Sequence, residues 1–162
     1  MFHVDRIEYD QLDTLIKLWR KRYYWLKEKN IEMWKIDQLN ADSIIKKYEY
    51  PQCYIAFEDK VSVGGFLLLE KDKRYWPDKL EDRAFYFHKF VVDIDSSGKG
   101  YSDKILEWVK DYGKKNDKNY IRLDYEKQRE YLRKMYLKNG FEDVEIIHTE
   151  NGFDIIKAEC RL

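Results

Sequence analysis

The chain has 162 residues, a length that suits one domain, 1–162, able to bury a core without disulfides or metal. Lysine plus arginine equals aspartate plus glutamate at 31 each, so no net field draws it to nucleic acid or to an anionic membrane. Cys53 and Cys160 stand far apart with no Cys-x-x-Cys or His-rich cluster, which argues against a zinc site and a disulfide scaffold.

Both cysteines read as core residues, as do most of the abundant aromatic side chains. The opening Met1-Phe2-His3-Val4-Asp5-Arg6 lacks the basic and apolar stretches of a signal peptide, and no run approaches the ~20 apolar residues of a membrane span. A soluble cytoplasmic protein is expected, without a nucleic-acid or membrane partner.

Residues 3–9 alternate loosely, as a short edge strand does. Asp10 stands where a cap belongs, before Leu12, Leu15, Ile16, Trp19, Tyr23 and Leu26 at helical spacing. Trp34 falls in a loop. Asn40 and Asp42 start a second, shorter helix through Ile44, Ile45 and Tyr48, stopped by Pro51. Cys53 to Phe57 and Val61 to Leu69 read as an antiparallel hairpin turned at Glu58-Asp59-Lys60, with a bulge expected at Gly64-Gly65. The charged segment Glu70 to Arg83, containing Trp76-Pro77, reads as an irregular loop.

The apolar run Phe85 to Val92 then passes through Asp93-Ile94-Asp95-Ser96-Ser97 into Gly98-Lys99-Gly100-Tyr101-Ser102. A helix follows, with Tyr101, Ile105, Trp108, Val109 and Tyr112 on one face, ending near Gly113 or shortly after it. A buried strand emptying through small residues into a helix start presents open backbone N–H groups and the positive end of a helix dipole. That arrangement suits a phosphate or pyrophosphate, although a Gly-x-Gly can equally form a plain strand-to-helix turn.

Next come a strand, Tyr120 to Asp124, and a helix carrying Leu132, Met135 and Tyr136 that stops at Gly140. Phe141 to His148 and Phe153 to Cys160 flank Asn151-Gly152, a hairpin-turn signal. The order is β-α-α-β-β-β-α-β-α-β-β. A parallel β-α-β crossover at its centre and hairpins at its flanks make a mixed-sheet α/β (α+β) fold.

This order resembles the GNAT family of acetyl-CoA-dependent N-acetyltransferases over nearly the whole chain. The family's Arg/Gln-x-x-Gly-x-Gly/Ala loop falls on Ser97-Gly98-Lys99-Gly100-Tyr101-Ser102, with Gly100 as the first motif glycine. Its Leu-Tyr-x-Lys-x-Gly-Phe helix end corresponds to Met135-Tyr136-Leu137-Lys138-Asn139-Gly140-Phe141. Three positions depart from the pattern: Ser97 for Arg or Gln, Ser102 for Gly or Ala, and Arg129 where many members carry a cofactor-contacting Asn.

The resemblance implies that acetyl-CoA is the cosubstrate, held by the backbone of Phe90, Val91 and Val92 along the pantetheine arm and by Ser97 to Ser102 at the pyrophosphate. Arg129 can reach a phosphate or turn to solvent. A backbone N–H near Phe90 to Val92 would polarise the thioester carbonyl. By resemblance Tyr136 protonates the departing thiolate, and its alternative is a core tyrosine. His88 stands where the related arylalkylamine enzymes relay a proton from the amine, and its alternative is a hydrogen-bonded strand histidine. A free imidazole, with a pKa of ~6.5, suits such a relay.

Asp124 either attracts the substrate ammonium or caps a loop or pairs with an arginine. Trp34 and Trp76 either line a pocket or lie over a core. No metal is expected. The implied reaction moves an acetyl group by direct attack to a primary amine, of a small molecule in first place. A non-catalytic acyl-CoA-binding module and a peptide or protein acetyltransferase are the alternatives, and homodimer formation is left open.

Overall fold

The computed structural model describes all residues from Met1 to Leu162. Seven strands and four helices follow one another as β1 (Phe2–Ile7), α1 (Asp13–Glu28), α2 (Ala41–Lys47), β2 (Gln52–Glu58), β3 (Val61–Leu69), β4 (Ala84–Val92), α3 (Tyr101–Lys115), β5 (Tyr120–Glu126), α4 (Glu130–Lys138), β6 (Glu142–Ile147) and β7 (Ile155–Arg161). This is the expected order of elements. The strands form one mixed sheet in the order β1-β2-β3-β4-β5-β7-β6. β4 and β5 are parallel, as a β-α-β crossover demands, but their pairing covers only Ala84 to Tyr86 against Tyr120 to Arg122.

Contacts divide the chain into two compact units: Met1–Leu68 with Lys89–Tyr101, and Leu69–His88 with Ser102–Leu162. In the first, α1 buries Leu15, Leu18, Trp19 and Leu26. Leu15, Leu18 and Trp19 join Ile7, Leu39, Ile44, Cys53, Ile55, Leu67 and Val91 in one apolar cluster. Such burial is worth roughly 1.5–3 kcal/mol per large aliphatic or aromatic side chain. Asn40 caps α2 by accepting the Ser43 N–H at 2.9 Å, as its position before the helix predicted.

Asp10 is not the cap of α1. A single 3-10 turn over Tyr9–Gln11 precedes the helix, closed by a reciprocal box between Glu8 and Gln11, and Leu12 takes the N-cap position. The bulge in the β2–β3 hairpin is also displaced. Register passes from Ala56 opposite Gly64 to Phe57 opposite Ser62, so Val63 is the extra residue. Gly65 answers a different need: a Cβ there would collide with Leu15 Cδ1 and lie 2.7 Å from the Tyr54 carbonyl oxygen.

In the second unit Phe85 stacks on Tyr112 (5.6 Å between centroids) and Tyr112 on Trp108 (4.8 Å). α3 contributes Ile105, Leu106 and Val109 to the interior. Trp76, Ala84 and Tyr86 form a separate buried cluster. Beside it lies Arg122, whose guanidinium binds Asp82 (2.8 Å), Glu159 (2.9 Å) and the Tyr86 hydroxyl (3.2 Å). The same group sits 4.9 Å from the Trp76 ring, so the segment between β3 and β4 is tied down at two places, Trp76 and Asp82. Trp76 is therefore buried in this unit, and it also lines a cavity with Asp82, Arg122 and Lys157.

β6 and β7 are antiparallel as expected, but β7 lies between β5 and β6, and Asn151-Gly152 is not a two-residue hairpin turn. The connection runs from His148 to Asp154, with Gly152 at φ 82° donating its N–H to the Thr149 carbonyl at 3.2 Å.

Candidate active site

The Ser97 to Ser102 segment leaves β4 through one 3-10 turn, Ile94–Ser96, and enters α3 at Tyr101. Gly98 and Gly100 have φ of 76° and 80°, the left-handed region that glycine adopts without penalty. A Cβ at either position would meet nothing within 4 Å, and Ser97 to Gly100 are exposed. The N–H groups of Ser96 and Ser97 are taken by Asp93 and Ile94 carbonyls, whereas those of Gly98, Lys99 and Gly100 have no backbone acceptor. This is an open set of donors at the start of a helix, the chemistry of a phosphate cradle. Lys99 turns its ammonium back to the Asp95 carbonyl at 3.3 Å.

Just upstream, Val91 is buried and Phe90 and Val92 are half-buried. The Val92 carbonyl accepts from Arg22 at 2.7 Å, the Lys89 carbonyl accepts from the Trp19 indole at 2.7 Å, and the Asp93 N–H reaches Val63 at 2.8 Å. Lys89 adopts φ 54° inside the strand. A non-glycine residue with positive φ is held there by its surroundings, here by the Trp19 bond. Its ammonium lies 4.8 Å from the Trp34 ring. Burial, with the nearby Lys47 charge, pushes the amine down to about 7. Trp34 packs against the apolar cluster of this unit.

In the second unit His88, Asp72 and Asp124 come together. His88 Nε2 is 2.9 Å from Asp72 Oδ2, and Nδ1 is 3.7 Å from Asp124 Oδ1. Asp72 is 5% exposed. Its Oδ1 accepts the N–H groups of Arg74 and Tyr75, each at 3.1 Å. Burial alone would raise this carboxyl, but the His88 contact and the two backbone donors hold it below the usual carboxylate range. Asp124 thus faces a histidine, where a loop cap or an arginine pair was the alternative. One donor atom from each of the three residues lies within 4.8 Å of the others; a cation bound there would have to replace the proton between His88 and Asp72.

Tyr136 is buried, on α4, in edge contact with Phe141 and tilted against Tyr125, each at 5.6 Å between centroids. Its hydroxyl makes no hydrogen bond within the fold. Burial and then the Asp124 charge push that hydroxyl well above the ordinary tyrosine range, with Arg129 opposing. The group is therefore protonated at neutral pH, the form a general acid needs. Arg129 takes the N-cap position of α4. Burial pulls its pKa down against the influence of Glu126 and Tyr136. Ser102 lies in the first turn of α3.

The second unit thus gathers His88, Tyr136 and Arg129 with Asp124, while Phe90, Val91, Val92 and Ser97 to Tyr101 belong to the first. Asp72 and the left-handed Lys89 were not singled out from sequence. An aspartate whose side chain accepts the N–H groups two and three residues on is an Asx turn, a signal present at Asp72-Lys73-Arg74-Tyr75 but lost among neighbouring charges.

By sequence, no curated protein matches the chain. Solved structures of the same fold include a GNAT-family acetyltransferase from Listeria monocytogenes 4b F2365, at 20% identity and TM-score 0.75, covering 99% of this chain and 95% of its own. A Bacillus subtilis acetyltransferase in complex with CoA matches at 18% identity and TM-score 0.70, over 100% and 99%. A Vibrio cholerae spermidine N-acetyltransferase in complex with CoA and spermine matches at 14% identity and TM-score 0.69, over 99% and 95%. No helix is long and apolar enough to cross a membrane. The acetyltransferase (GNAT) domain family matches residues 25–162, a segment that contains the glycine loop, His88 and the Tyr136 helix end, and the chain belongs to that family.

Proposed function

We propose that this acetyltransferase moves an acetyl group from acetyl-CoA to a primary amine of a small molecule by direct attack. The observation that carries the reading is His88 set between two carboxylates, 2.9 Å from Asp72 and 3.7 Å from Asp124, in the unit that also holds the protonated Tyr136. An alkyl ammonium, with a pKa near ~10.4, must lose a proton before it attacks. Asp124 attracts the ammonium and His88 takes that first proton; the N–H bonding pair stays on nitrogen as the nucleophile.

Attack on the thioester carbonyl forms the C–N bond, and a backbone N–H near Phe90 to Val92 steadies the developing oxyanion. Collapse breaks the C–S bond. Tyr136 protonates the thiolate, and the nitrogen's second proton restores the hydroxyl. His88 returns its proton to solvent. The open N–H groups of Gly98, Lys99 and Gly100 support pyrophosphate binding, and Arg129 supplies a cation toward the cofactor.

The test is free thiol release from acetyl-CoA across a panel of small primary amines and peptides. Turnover with a small amine is the expected result. Turnover on peptides alone would move the acceptor to protein, and CoA binding without turnover on any amine would leave a binding module.

A further inference from the structure

We propose that Asp72 is a positioning residue: it holds the His88 ring in the tautomer protonated at Nε2 and so turns the Nδ1 lone pair toward Asp124. Its value to catalysis rests on the reading of His88 as the base for the amine. The Asp72 carboxylate is hydrogen-bonded on both oxygens. Its Oδ1 is occupied by the backbone N–H groups of Arg74 and Tyr75 at 3.1 Å each, and the Trp76 N–H closes the same turn on the Asp72 carbonyl at 3.0 Å. Trp76 in turn is clamped by the Arg122 guanidinium at 4.9 Å and the Lys157 ammonium at 4.3 Å from its ring. These contacts restrain the carboxylate and set the direction in which Oδ2 accepts.

That direction holds His88 Nε2, at 2.9 Å. An ionised carboxylate can only accept, so the proton of this bond belongs to Nε2. In the neutral ring the lone pair then falls on Nδ1. Nδ1 and Asp124 Oδ1 are 3.7 Å apart, beyond a direct hydrogen bond. A donor seated beside this pair, within hydrogen-bond reach of both atoms, can bridge them, and an ammonium is such a donor. Proton transfer breaks one N–H bond of the ammonium and forms Nδ1–H, leaving a neutral amine beside an imidazolium flanked by two carboxylates. With the other tautomer Nδ1 would already carry a proton and could accept none.

The test is two-bond 1H–15N correlation NMR on the full chain labelled with 15N-histidine, recorded with the ring neutral. His88 is assigned by the signals lost in His88→Gln. The wild type is expected to show Nε2 protonated and Nδ1 bare. In Asp72→Asn the side-chain amide can donate where the carboxylate accepted, so the ring is expected to switch to Nδ1–H, with thiol release falling roughly 10²-fold or more. A wild-type ring protonated at Nδ1 overturns the proposal without recourse to any variant, as does a folded Asp72→Asn protein that keeps the Nε2–H form. If the tautomer is as expected and switches, yet His88→Gln turns over like the wild type, the positioning stands and the base assignment falls.

Discussion

The indole N–H of Trp19 donates to the backbone carbonyl of Lys89 at 2.7 Å, joining the middle of α1 to the one left-handed residue of β4. A strand carbonyl turned out of its ladder needs a donor, and a fully buried tryptophan supplies it. The same conformation sends the Lys89 ammonium over Trp34, into surroundings that favour the neutral amine.

That burial predicts a pH dependence of stability. Lys89 titrates at about 7 in the fold against an ordinary ~10.4 when unfolded, so between these values the unfolded chain holds more protons and stability rises with pH. Below pH 7 the penalty for a buried ammonium is fully present. Lys89→Met should therefore be more stable than the wild type at pH 6, by up to about 4–5 kcal/mol, with the difference closing as pH approaches 10. Urea denaturation at several pH values checks this, and a constant difference would contradict it.

Gly100→Val puts a branched side chain at φ 80°, next to exposed N–H groups and clear of other protein atoms by more than 4 Å. The left-handed backbone costs about 1–2 kcal/mol locally, which the core can bear. Calorimetry with CoA should show affinity reduced by at least about tenfold, roughly 1.4 kcal/mol, in a protein with native circular dichroism. Unchanged affinity would place the pyrophosphate elsewhere.

Tyr136→Phe deletes a hydroxyl that bonds nothing in the fold and keeps the ring against Tyr125 and Phe141. Stability should change little, while turnover falls by about 10²- to 10⁴-fold with CoA affinity retained. A variant with wild-type turnover, under conditions where chemistry limits the rate, would reduce Tyr136 to a packing residue.

Those two predictions concern positions that the sequence exposes, one by local chemistry and one by resemblance. Gly98 and Gly100 mark a backbone that only glycine adopts freely, and Tyr136 stands out because the Met135 to Phe141 helix end resembles the family pattern. Asp72 could not be found that way: its partner His88 is 16 residues away, across an irregular segment with no period to read. The left-handed Lys89 was hidden for a related reason, since Phe-His-Lys-Phe contains no glycine or asparagine, and the conformation is imposed by Trp19 from another element. Asp10 and Gly64-Gly65 were misread because several residues compete for a cap or a bulge, and the choice depends on how the chain enters α1 and on the close approach of Leu15 to Gly65.

The most direct measurement is the rate of CoA release with a saturating primary amine, followed from pH 6 to 10 for the wild type and for His88→Gln. Glutamine keeps polarity and approximate size but cannot take a proton. If His88, held by Asp72 and facing Asp124, deprotonates the amine, the variant should be slowed near neutrality by roughly 10²-fold or more and should partly recover at high pH, where free amine becomes abundant. Profiles that overlay across the whole range would contradict the account and return His88 to a hydrogen-bonded strand residue.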